Sequence, residues 1–120
     1  NLTVDFKSAI WLQGEADVII STPLATYESK LRSFIANWRA LSPLLETTPF
    51  IMVKMQSGAV STGGGEVWLQ AINDIFQKIA DEDPVLYKII DPDIIGASGG
   101  THYNADGYLK IGQAWFNLVV

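Results

Sequence analysis

Three short apolar runs, at residues 7–13, 49–55 and 85–90, alternate along this chain with three longer stretches whose apolar residues recur every three or four positions. That alternation constrains the fold more than any other feature. A run this short cannot make an independent helix and suits a strand buried on both faces, whereas the wider spacing puts its residues on one stripe of a helix.

In the first run Ile10 and Leu12 flank Trp11, so both faces of that strand are expected to be covered. Thr22 and Pro23 then supply an N-cap and a first helical position. The stripe that follows is Leu24, Tyr27, Leu31, Phe34, Ile35, Trp38 and Leu41, and Pro43 stops the helix near Ser42. Pro49 heads the second run, 57–65 reads as loop, and Glu66 opens a helix with Val67, Leu69, Ile72, Ile75, Phe76 and Ile79 on or near one face, closed by 81–84. After the third run, 91–101 is a long glycine-bearing connection. Asn104 is the expected N-cap of a last helix carrying Tyr108, Ile111, Trp115, Leu118 and Val119. Strand, helix, strand, helix, strand, helix with short links implies parallel strands joined by right-handed crossovers, hence a three-layer α/β fold around a parallel sheet.

With 120 residues, 48% of them hydrophobic, the chain is sized for a single domain with a real core and is not a disordered tail. The net charge of −5, with only eight Lys and Arg scattered along the chain, argues against a nucleic-acid surface, which needs clustered cations. No apolar run reaches the ~18 residues that would span a bilayer, and no signal-peptide pattern is present, so no membrane partner is expected. The absence of cysteine excludes disulfides and thiolate metal sites and leaves the compartment open. The chain begins at Asn1 with its first strand close behind, which suggests a processed or excised piece of a longer polypeptide.

The first run ends abruptly in Gln13, Gly14, Glu15 and Asp17. An amide and two carboxylates are costly to bury without partners, so a buried strand that delivers them at its carboxyl end opens on a cleft or ends in a solvated turn. The only histidine, His102, sits in Gly99-Gly100-Thr101-His102-Tyr103-Asn104-Ala105-Asp106-Gly107-Tyr108, where small residues precede it and a helix follows. That placement suits a positioned acid/base group, although a lone loop histidine is often without function. Asp91 and Asp93 flank Pro92 with no third ligand nearby and read as turn residues, so no metal is expected. The stretch 57–65 is rich in glycine, but no Lys follows it and the P-loop pattern fails; a mobile rim of the cleft is the better reading.

Trp11-x-Gln13-Gly14-Glu15-x-Asp17 resembles the central motif of the SGNH (GDSL-like) hydrolases of the sialate O-acetylesterase and acetylxylan esterase type, carbohydrate esterase family six. Independently, His102-Tyr103-Asn104-Ala105-Asp106-Gly107 resembles the His-x-Asn-x-x-Gly segment with which these enzymes end. The resemblance implies a flavodoxin-like sheet of five or so parallel strands, in which the Gln-Gly-Glu strand is the third. It further implies that His102 is the general base, Glu15 the carboxylate that holds it, and Gln13 an amide donor to the oxyanion or the substrate, with Gly14 and Asp17 in the same loop and Asp17 fixing that loop. The position three before the histidine, where many SGNH enzymes carry the acid, is Gly99 here. Gln70 resembles a family glutamine and is expected to be structural.

Acyl transfer by a serine esterase also needs a nucleophile. The family's Gly-Gln-Ser-Asn segment is absent, and Ser8, Ser21, Ser57, Ser61 and Ser98 lie in no comparable strand-to-helix elbow. The chain thus corresponds to the C-terminal half to two-thirds of a family domain. The expected activity is deacetylation of acetylated sugars without a cofactor, with the serine on an N-terminal segment or another chain that completes the sheet. The alternative is a non-catalytic sugar-binding or structural module, and a bare strand edge also permits self-association.

Overall fold

The structure is a computed structural model that describes residues 5–120; the Asn1 start, from which an excised piece was expected, lies outside the described residues. Three strands, β1 (Ala9–Trp11), β2 (Phe50–Val53) and β3 (Tyr87–Ile90), form one parallel sheet in the order β1-β2-β3. Five helices accompany them: α1 (Glu15–Ile19), α2 (Leu24–Ala40), α3 (Gly65–Glu82), α4 (Pro92–Ile95) and α5 (Ala105–Val119). This is the α/β arrangement expected, consistent with a flavodoxin-like SGNH fold.

Strand alternation divides the core in two. Phe50 and Met52 point to the face covered by α2 and α3, where they pack with Leu31, Leu69, Ile72 and Phe76. Ile51 and Val53 point to the other face and meet Tyr103 and Ile111 beneath α5. Two crossovers of one hand advancing in one direction must put their helices on the same face, and α2 and α3 obey this; α5, which follows the last strand, covers the opposite one.

The boundaries differ from the expectation in instructive ways. The first strand is only Ala9–Trp11, because the chain turns at Gly14 straight into α1, a helix that no periodicity announced. Pro23, not Thr22, is the capping position of α2; the Thr22 hydroxyl instead donates to Asp17 Oδ1 at 2.7 Å. Helix α2 ends at Ala40, and Pro43 starts a 3-10 turn (Pro43–Leu45) capped by Ser42. The connection after β3 contains α4, whose N-cap Asp91 accepts from the Asp93 and Ile94 amides. Asn104 caps α5 as expected, accepting from the Gly107 amide at 2.8 Å.

Coverage of β1 is the clearest correction. Ile10 is 48% exposed, and among the described residues the edge of β1 away from β2 is unpaired. Trp11, on the α2 side, is partly buried against Phe34 and Phe50, with ring centroids 5.0 and 6.4 Å apart. The second run is indeed covered on both faces, every residue of Phe50–Val53 being buried.

Polar groups lock the outer layer. Arg39 donates to the carbonyls of Leu45, Glu46 and Thr48 at 2.7–3.1 Å, tying the end of α2 to the turn before β2. Glu28 accepts from Arg32 and Lys78, and Arg32 continues to Glu82, so charged side chains join α2 to α3. Hydrogen bonds from Lys78 and Arg32 hold the Glu28 carboxyl below its ordinary value near 4.5. A lowered folded-state value means that the stabilisation is complete above that ordinary value and is lost as the pH falls through the folded one. Glu28→Gln is therefore expected to cost less than about 1 kcal/mol at pH 7, since the site is solvent-screened, and less still in acid, at pH 2. Urea denaturation at the two pH values checks this; an equal cost at both would exclude the ion pair as the cause.

Candidate functional site

The turn from β1 into α1 is made by Gly14, at φ 151° and ψ −20°. A side chain there would be strained by the positive φ and would bring a Cβ within 3.2 Å of the Met55 sulfur. The turn leaves Gln13 exposed on one side and places Glu15 in the first turn of α1, where a carboxylate complements the helix dipole. Below it, the buried Tyr27 hydroxyl donates to the Gln13 carbonyl at 3.4 Å. Burial raises the Tyr27 pKa well above the usual tyrosine value, with Asp17 and Glu15 adding to the effect, so this phenol stays protonated.

Helix α1 is held from behind by the glycine-rich stretch. The Gly64 amide donates to the Val18 carbonyl at 2.9 Å, and the Trp68 indole donates to the Thr22 carbonyl at 2.8 Å. At Gly63, with φ +63°, a Cβ would lie 1.9 Å from the Ile19 carbonyl oxygen. Residues 57–65 were expected to rim the cleft, but none of them lines it; they brace α1 instead. Glycine is needed at Gly63 because another backbone passes there, not because a ligand does.

Opposite α1, His102 stands on the loop before α5. This loop is pinned by Tyr103, whose hydroxyl donates to the Lys54 carbonyl at 3.2 Å, by Asn104, which donates to Ser98 Oγ at 3.0 Å, and by Thr101, which donates to the Ala59 carbonyl at 3.0 Å. Burial raises the Tyr103 pKa above its usual range and the Glu15 carboxylate raises it further, which removes Tyr103 as a proton carrier.

Between these elements lies a cleft of about 360 Å³, lined by Leu12, Gln13, Glu15, Ala16, Ile19, Thr101, His102, Tyr103 and Tyr108. Three of the five residues singled out from sequence, Gln13, Glu15 and His102, therefore meet in one depression although most of the chain separates the first two from the third. No direct salt bridge joins the Glu15 carboxylate to the imidazole among the described residues. Gly14 is buried beneath the cleft, and Asp17 faces a neighbouring cavity beside Trp11 and Lys30 while its Oδ1 is engaged by Thr22. No serine lines the cleft: Ser57 donates to Asp93 at 2.6 Å, Ser8 accepts from the Trp115 indole at 2.6 Å, and Ser98 accepts from Asn104.

Several contributors carried no sequence signal strong enough to find them. Asn73 is 5% exposed in the apolar stripe of α3; its amide accepts from the Met55 N–H at 2.8 Å and donates to the Met55 carbonyl at 2.9 Å. This fixes the chain just past β2, under Gly14. A polar residue within an apolar stripe was the available clue. Tyr108 lines the cleft although its stripe suggested only core, and Ile19 lines it from α1, which no stripe announced. Gln70 donates to Glu66, whose other carboxylate oxygen accepts from the Gly58 amide, a loop-holding role.

An amide, a carboxylate and an imidazole thus lie together at the carboxyl end of a parallel sheet, beside the apolar side chains of Leu12, Ala16 and Ile19. The family model for carbohydrate esterases described as sialic acid-specific acetylesterase matches residues 2–120, and the chain belongs to that family. No curated protein and no solved structure gives a significant match.

Proposed function

We propose that the cleft serves deacetylation of an acetylated carbohydrate by a serine-esterase mechanism, with the nucleophilic hydroxyl supplied by a segment outside the described residues. The observation that carries this reading is the convergence of Gln13, Glu15 and His102 on one cleft. His102 takes the proton of the attacking hydroxyl and returns it to the leaving sugar oxygen. Glu15 orients the imidazole and offsets the charge it gains. The Gln13 amide donates to the oxyanion of the tetrahedral intermediate, and the chemistry so arranged calls for no cofactor. Leu12, Ala16 and Ile19 offer the acyl methyl an apolar wall.

The nucleophile is expected beside Gln13, at the edge of β1 that is unpaired among the described residues, where an added parallel strand would end at the mouth of the cleft. Such a strand, in cis or from another chain, would also cover Ile10. A second reading has its own observation: no serine lines the cleft. On that reading the chain is a non-catalytic sugar-binding or assembly module.

A fluorophosphonate probe separates the two. With the polypeptide that carries the nucleophilic segment, labelling is expected at a serine outside residues 5–120, together with acetate release from 4-nitrophenyl acetate or an acetylated sugar. Glu15→Gln should slow that release by about 10²-fold, through kcat more than KM. Absence of both labelling and release would favour the binding module.

A further inference from the structure

We propose that Thr101 is a positioning residue for the cleft: its hydroxyl, donated to the Ala59 carbonyl, holds His102 in register with Glu15 by tying the histidine loop to the same glycine-rich stretch that braces α1. The inference rests on the reading of Glu15 and His102 as the pair that handles the proton. No salt bridge joins the two side chains, so their own attraction does not set their spacing. The scaffold that carries them must set it.

The histidine loop is a tight hairpin. Gly99 and Tyr103 face each other in an antiparallel bridge, and the Gly100 amide donates to the His102 carbonyl at 3.0 Å. A Cβ at Gly99 would clash with the Tyr103 backbone, so the position three before the histidine has no room for a side chain that could hold the ring. The base of the hairpin is secured by the Tyr103 hydroxyl on the Lys54 carbonyl. Its tip is Gly100-Thr101-His102, and among the described residues the one hydrogen bond that leaves the tip runs from Thr101 Oγ1 to the Ala59 carbonyl at 3.0 Å.

The acceptor is itself fixed. The Ala59 amide donates to the Gln56 carbonyl at 3.0 Å, and the next residue, Val60, is buried in the core beneath α2 and α3. Ser57 is anchored to Asp93, and the Gly58 amide to Glu66 at 2.8 Å. Further along, the same stretch meets α1, where the Gly64 amide donates to the carbonyl of the fully buried Val18. One short segment thus touches both walls of the cleft, the Glu15 side through its main chain and the His102 side through a hydroxyl. A β-branched threonine presents that hydroxyl from few rotamers, which suits a fixed tie. A base displaced from its orienting acid loses much of its effect on the rate.

Thr101→Val keeps the branched shape and removes the donor; because the side chain is exposed, the variant should keep its urea midpoint. In the polypeptide that carries the nucleophile it should lower kcat about tenfold and leave KM within about twofold, while Thr101→Ser, which keeps the hydroxyl, should come within about threefold of the unsubstituted rate. In a Glu15→Gln background the same Thr101→Val change should cost less than about twofold, because the imidazole then has no carboxylate to be held against. A loss that falls on KM would make Thr101 a substrate contact, and equal losses in both backgrounds would make its effect a general one on the fold; either overturns the proposal, as does a serine variant no better than valine. A second readout needs no turnover. His102 is the only histidine, so its imidazole Cε1–H signal in a proton–carbon NMR spectrum of the chain is unambiguous. Glu15→Gln should move that signal in the unsubstituted chain and leave it in place in the Thr101→Val chain; a signal that responds equally in both, or in neither, overturns the proposal. The NMR pattern expected here, found in a polypeptide that releases no acetate, would leave the positioning role standing and remove the esterase reading alone.

Discussion

Replacing His102 with Ala is expected to lower acetate release by about 10³-fold in the polypeptide that carries the nucleophile, because the hydroxyl loses the base that the proposed mechanism gives it. Of the other polar side chains lining the cleft, Tyr103 is held protonated by burial, Thr101 is committed to the Ala59 carbonyl, and Glu15 has the orienting role in the proposed mechanism. The loss should fall on kcat, since the imidazole acts on the reacting atoms and little substrate surface depends on it. His102 is exposed, so the variant should unfold at the same urea midpoint as the unsubstituted protein. Acetate release unaffected by the substitution would remove His102 from the chemistry and with it the proposed mechanism.

The largest effect on stability is expected at Asn73. Its amide closes two hydrogen bonds on the Met55 backbone in a fully buried setting, so Asn73→Leu leaves an N–H and a carbonyl without partners. Each such group costs about 1–3 kcal/mol, and the pair should destabilise the fold by about 2–4 kcal/mol in urea unfolding. Asn73→Asp tests the geometry further. A carboxylate still accepts from the Met55 N–H but opposes its carbonyl, so the loss should ease as the pH falls and the acid becomes protonated. A cost below about 0.5 kcal/mol for the leucine variant would mean that the clamp has been misread. Because Met55 packs under Gly14, activity should fall along with stability.

The wide elements were legible because burial leaves periodic marks. Helices α2, α3 and α5 follow stripes such as Leu69, Ile72, Phe76 and Ile79, and β2 follows a run whose one charged residue, Lys54, lies just past the strand. Helices α1 and α4 were not legible, since a helix of one turn or so has no room for a stripe and is held by neighbours: α1 by the Gly63-Gly64 turn, α4 by its Asp91 cap. The same cause misled the reading of β1. Ile10 and Leu12 looked like a strand covered on both sides, yet apolar character states only a preference for burial, and Ile10 has no partner among the described residues.

The candidate site divides along the same line. By itself the sequence determined which residues to single out, because Gln13, Glu15 and His102 stand in two segments that resemble esterase motifs, and it determined that no serine stands in a suitable elbow. Only the tertiary structure decided that these groups share a cleft, that Tyr108 rather than the glycine-rich stretch forms its wall, and that Asp17 turns away to hold Thr22. Spacing along a chain fixes the face of an element, whereas which faces meet depends on crossovers and packing that no local pattern encodes.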